Sequence, residues 1–277
     1  MQVAEPLVSS WKASLALDFC FENQKTTLGK KIHDGPLVVQ KPLYPEGSGL
    51  CHAIIVHPPG GIAGGDELSL SVKTGESAAA LLTTPGAAKW YRSSGPWAKQ
   101  SVAFNVGGTL EWLPQETIGF DGARAQTAYD VNLVAGARLI GWDIVCLGRT
   151  GSGERFARGE FRTSMQVRRD GKLLWLERGR IDGGGRLLDS QAGLAGQPVF
   201  GTLFACASDL NQGLLHETRK TEPATGRGAV TLLPGILLAR YLGSSTEAAR
   251  RYFIALWRIL RPALTGRDAI EPRIWRT

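Results

Sequence analysis

The chain has 277 residues, 43% hydrophobic and 21% charged, which is enough to bury a sizeable core and ordinary for a globular protein. Its 35 glycines follow no fixed period and exclude collagen-like repeats, favouring many turns between short strands. A net charge of +7 is compatible with an anionic partner, but there is no long basic run and no nucleic-acid-binding signature, so nucleic acid is not expected. No apolar stretch reaches the roughly 18 residues of a membrane span. No positively charged segment followed by an apolar core marks a signal peptide. The four cysteines, Cys20, Cys51, Cys146 and Cys206, are far apart in apolar contexts and read as reduced thiols, so a cytoplasmic location is expected.

In chain order, residues 13–22 alternate, with Leu15, Leu17, Phe19 and Phe21 on one side, as in a half-buried strand. A second extended run, Pro36 to Tyr44, is interrupted by Pro42 and belongs at a sheet edge. Residues 50–57 are short and apolar, the pattern of a fully buried strand. Strands are expected on either side of the Lys73–Glu76 turn, and two neighbouring strands joined as a hairpin at Gly107-Gly108. Residues 125–148 offer two more around Gly136. Asp170-Gly171 is the strongest hairpin signal in the chain and would set Val167 against Leu173 or Leu174. From residue 8 to 183 the pattern is almost entirely β.

The final third differs. Residues 208–219 suggest a short helix starting at Ser208. Residues 244–261 suggest a longer one, with Ser244 and Glu247 at capping-box spacing. Its apolar stripe is Ala249, Phe253, Leu256 and Leu260, widened by Tyr252 and Trp257. Arg250, Arg251, Arg258 and Arg261 cover the remainder, and Pro262 ends the run. The fold class expected is therefore mainly β, a single domain over 1–277 with a β-rich part (1–207) and a mixed helical part (208–277) carrying about two helices.

Common catalytic motifs are absent. The glycine-rich stretch 60–65 is followed by Asp66 and Glu67 where a phosphate loop requires Lys and Ser/Thr, and no dinucleotide fingerprint occurs. No serine sits in a nucleophile elbow, and the four histidines form no zinc-protease pair. Cys51 and His57 are six residues apart and face the same side of a regular strand. They suit either core packing with a turn hydrogen bond or a weak site for a borderline divalent ion. Four acids, Glu116, Asp143, Glu177 and Asp182, fall in apolar or glycine-rich strands. Each is costly to bury unless paired or wet, so they either pair with arginines or together line an acidic interior passage. A β-rich hydrolase or sugar-active enzyme using Glu116 and Asp143 is the alternative from another functional class. Trp90, Tyr91 and Arg92 follow a Pro-Gly turn and are equally suited to core packing or to an interface.

Four blocks carry a further likeness: HPPGGIAGGD (57–66), LTTPGAAKWYRS (82–93), LEWLPQETIGFDGA (110–123) and RYFIALWRILRP (251–262). In order and spacing they resemble the UreD (UreH) family of urease accessory proteins, over essentially the whole chain. The resemblance implies a non-enzymatic chaperone for nickel delivery to the urease apoprotein, acting in a complex with UreF and the GTPase UreG. It implies no tightly bound cofactor, only transient nickel(II), and a β-rich fold with two helices and an internal water-filled tunnel. On that likeness Asp66 and Glu177 are the first candidates to line the tunnel, Glu116 and Asp143 the next, and His57 and Cys51 weaker ones. Trp90 to Arg92, or Arg251 and Arg258 on the last helix, are the candidate contacts for UreF.

Overall fold

In a computed structural model, residues 10–276 are described; residues 8 and 9 of the expected β region lie outside them. The first half of the chain forms β1 (Lys12–Glu22), β2 (Lys25–Asp34), β3 (Val38–Val39), β4 (Cys51–Val56), β5 (Glu67–Thr74), β6 (Ala79–Thr83), β7 (Ala88–Trp90), β8 (Ala98–Val106), β9 (Thr109–Trp112) and β10 (Thr117–Gly119). Then come β11 (Arg124–Leu133), β12 (Arg138–Leu147), β13 (Glu160–Arg169), β14 (Lys172–Asp182), the single turn α1 (Arg186–Asp189) and β15 (Val199–Cys206). The end of the chain holds α2 (Gln212–Arg219), β16 (Arg227–Leu233), β17 (Ile236–Gly243) and α3 (Thr246–Thr265). The fold is mainly β, as expected.

Two sheets stack on one another. The smaller has the order β14-β13-β11-β8-β5-β1-β2. The larger runs β16-β17-β15-β12-β9-β6-β4-β3, with β10 and β7 joined beside β12. Between β4 and β13 the chain crosses from sheet to sheet after almost every strand, so each circuit adds one parallel strand to each layer. Thus β4, β6, β9 and β12 run parallel in one sheet, and β5, β8, β11 and β13 in the other.

This coil overturns the hairpin expected at Gly107-Gly108. β8 and β9 lie in different sheets, and the two glycines form a corner stacked on the corner before it. A Cβ on Gly108 would lie 2.2 Å from the Ala78 carbonyl oxygen, and one on Gly107 2.8 Å from that of Thr74. Glycine is needed there because backbone packs on backbone. The turns at residues 73–76 and at Gly136 are sheet-to-sheet corners as well.

The Asp170-Gly171 hairpin does form, with both residues at positive φ (48° and 76°) as a two-residue hairpin turn requires. Its register differs from the expected one: Val167 faces Trp175 and Arg168 faces Leu173, because a bulge intervenes. β2 has no counterpart among the expected strands. It is an edge strand with one buried residue, Thr26, so it shows almost no apolar alternation. Of the expected Pro36–Tyr44 run Val38–Val39 forms a strand at the edge of the larger sheet, and Leu43 adds an isolated antiparallel bridge to His52.

The inner faces of the two sheets form one core, centred on residues such as Leu15, Phe19, Leu70, Phe104, Val131 and Phe204. The outer face of the larger sheet packs on α3, where Trp142, Tyr241, Phe253, Leu256 and Trp257 make a second core. Central strands of the larger sheet such as β4, β6 and β12 are therefore covered on both faces and read as continuous apolar runs, while β5 and β8 alternate.

Both principal helices begin later than expected. α2 is capped by Asn211, whose side chain accepts from Leu214 N at 3.0 Å, rather than by Ser208. α3 is capped by Ser245, accepting from Ala248 N at 3.2 Å, rather than by Ser244. Pro262 does not end α3, which continues to Thr265 and stops at Gly266 in the left-handed conformation.

Candidate functional site

The parallel coil leaves two cavities between its layers, each with polar groups set in a largely apolar lining. The larger, about 300 Å³, is lined by His57, Gln100, Trp112, Tyr129 and Asp143 among others, and by the exposed residues Pro85, Gly86 and Lys89 at its mouth. The smaller, about 40 Å³, is lined by Thr127, Glu177 and Thr202. Tyr129 of β11 and Asp143 of β12 line both, so they form the junction.

Asp143 is the unusual group. Among the described residues its carboxyl has no cationic partner, and the backbone N–H of Ile144 is the one group that supports its charged form. Burial pushes its pKa from an ordinary 3.8 up to about 6. Burial, and next the Asp143 charge, hold the Tyr129 hydroxyl far above its usual range, so that it stays protonated. Three further polar atoms lie buried on the lining with no hydrogen-bond partner among the described residues: Thr127 Oγ1 in the smaller cavity, and His57 Nε2 and Trp112 Nε1 in the larger. Burial also lowers the His57 pKa against the opposing pull of Asp66, so the ring is neutral near neutral pH.

Glu177 stands at the far end of the smaller cavity, reached from β14. Arg240 of β17 grips both its carboxylate oxygens, with Nη1 at 2.7 Å from Oε1 and Nη2 on Oε2. The same guanidinium donates to Thr202 Oγ1 at 3.0 Å and lies 5.6 Å from the centre of the Trp175 ring.

The other candidate acids are placed elsewhere. Asp66 is 1% exposed and lines neither cavity; its two oxygens accept from Trp11 N (2.7 Å) and Ala63 N (2.8 Å), pinning the start of β1 to the Gly-Gly-Asp turn. Glu116 lies in the irregular segment before β10, between Gln115 and Thr117 of the larger cavity, and lines neither cavity itself. Glu116 and Asp143 thus share no cavity. Cys51 is wholly buried at the opposite end of β4 from His57, its thiol pKa raised by burial against a hydrogen bond from Tyr44. Among the described residues no group of three or more His, Cys, Asp and Glu side chains is gathered to hold a metal ion.

Comparison with known proteins decides the family. The family model described as "UreD urease accessory protein" matches residues 12–276. The chain belongs to the UreD family. It is 54% identical to the urease accessory protein UreD of Dechloromonas aromatica (strain RCB), over 97% of this chain and 95% of that protein. It is 50% identical to the UreD of Azoarcus sp. (strain BH72), over 100% and 97%, and 52% identical to that of Pseudomonas aeruginosa PAO1, over 97% and 96%.

Against this UreD framework the surface candidates divide. Trp90 is fully buried, edge-on to Phe161 with ring centres 6.4 Å apart, and belongs to the core rather than to a surface. Tyr91 is exposed and lies over Gly61, where a Cβ would come within 2.2 Å of its ring. Arg92 is exposed, as are Arg251, paired with Glu247, and Arg258, paired with Glu271.

Arg261, expected on the polar face of α3, is instead completely buried. Its Nε meets Glu111 at 3.0 Å and its two Nη atoms meet Glu46 at 2.8 and 2.9 Å, while Trp257 Nε1 donates to Glu111 at 2.7 Å. Glu46 also bonds His52 Nε2 at 2.9 Å. Burial raises the Glu111 pKa, with Arg261 opposing it; at Glu46 burial is outweighed by the hydrogen bonds from His52 and Arg261, and the pKa falls. The available signal was position: Arg261 follows Trp257 by four residues, and Glu111 sits between Leu110 and Trp112.

Proposed function

We propose that this urease accessory protein is a non-catalytic scaffold that binds the urease apoprotein together with UreF and the GTPase UreG. In that complex it passes nickel(II), as cargo, between its two sheets. One observation carries the reading: Asp143, a half-buried carboxyl with no cationic partner among the described residues, stands where two cavities meet. An uncompensated carboxylate in a protein interior is costly, and a transient cation is the partner that would offset it.

The chemistry of the lining agrees. Carboxylate, hydroxyl and neutral imidazole suit a borderline divalent ion, while the absence of thiolates and of a gathered ligand set among the described residues suits passage over storage. The smaller cavity has room for about one water molecule. A fully hydrated ion does not fit there, so it would exchange water for protein oxygens at Asp143, Thr127 and Glu177. The hydrolase alternative needs Glu116 beside Asp143, and the two share neither cavity. The test is Asp143→Asn: the accessory complex should still assemble while the nickel content of urease falls several-fold, and full nickel loading would reject the passage.

A further inference from the structure

The far end of the passage is not simply open. Across the larger sheet Asp143 is registered with Thr202, and Thr202 with Arg240, so the three form one row over β12, β15 and β17. At about 5 Å per strand, Arg240 stands roughly 10 Å from Asp143 along that row. From the facing sheet Glu177 reaches over to the end of the row, where Arg240 takes both of its oxygens and Thr202 Oγ1 as well. The Trp175 ring beneath the guanidinium limits its freedom. Of the oxygens beyond Asp143, those of Glu177 and Thr202 are therefore already held by one permanent cation, while Thr127 Oγ1 is left without a partner among the described residues. Arg240 and Glu177 are both partly exposed, so this grip is reversible and not that of a deeply buried pair.

We propose that Arg240 is the resident counter-cation of the exit: its guanidinium occupies Glu177 and Thr202 until a divalent ion displaces it, and reclaims them once the ion has left. The inference rests on the passage reading above and adds to it a device that keeps the exit from becoming a metal trap. With Arg240 in place, an arriving ion must outcompete a bidentate charge-assisted pair and gains little net affinity. With the guanidinium removed, Glu177, Thr202 and Asp143 present a free oxygen set.

The test is equilibrium dialysis of the purified full chain against nickel(II), without urease. R240Q is expected to bind nickel at least tenfold more tightly than the unaltered protein, and R240Q/E177Q to lose that gain. R240K keeps the charge but not the fork; its expected gain is two- to tenfold, and it serves as the readout should R240Q not fold. No gain in either folded variant, or a gain that persists in the double variant, overturns the proposal. Failure of the passage reading is seen separately, as full nickel loading of urease by Asp143→Asn, which this dialysis does not measure.

Discussion

Consider Asp143→Asn in the isolated protein. The asparagine has nearly the same shape and keeps an oxygen for the Ile144 N–H, but it carries no charge. The folded Asp143 pKa is about 6 against an ordinary 3.8. Because the folded value is the higher one, ionisation opposes folding: the penalty is absent below the unfolded pKa, grows as pH rises, and is complete above the folded one. A difference of about two pH units, at about 1.4 kcal/mol each, sets that penalty at about 3 kcal/mol. The variant should therefore be more stable than the unaltered protein by about 3 kcal/mol at pH 8, equivalent to roughly 6 °C in Tm for a chain of this size. Near pH 4 the two should converge. Thermal or urea unfolding at pH 4, 6, 7 and 8 measures this. A variant that is less stable at pH 8, or equally altered at every pH, would refute the view of Asp143 as an uncompensated carboxyl.

Two further outcomes test the frame around the passage. Arg261→Met leaves Glu111 and Glu46 buried without their cation and should destabilise the fold by about 3–5 kcal/mol in urea; adding Glu111→Gln should recover part of that loss. Gly108→Ala places a Cβ against the Ala78 carbonyl oxygen and should lower stability by about 1–3 kcal/mol; an unchanged midpoint would contradict the stacked corners of the coil.

Much of the fold was legible because burial sets periodicity. β5 and β8, exposed on one face, alternate, and β4, covered on both, is continuously apolar. Pairing was not legible, because a Gly-Gly hairpin and a Gly-Gly corner of a coil draw on the same residue for different reasons: φ freedom in one, close backbone approach in the other. β2 escaped because an edge strand with one buried side chain carries almost no pattern. At the site, composition could single out acids in apolar strands but not the sheet layer each one faces. Asp143 and Glu177 reach a common cavity from opposite sheets, whereas Asp66 ties down a turn and Glu116 sits outside both cavities in the irregular segment before β10. Arg261 was assigned to solvent by residue type, although its spacing from Trp257 placed it on the buried stripe. Arg240 had no sequence signal, since its partner lies 63 residues away.

The most direct test of the central claim is the nickel content per active site of urease matured with Asp143→Asn, measured beside a pull-down of the accessory complex. The account predicts an intact complex and several-fold less nickel. An intact complex with full nickel would contradict it.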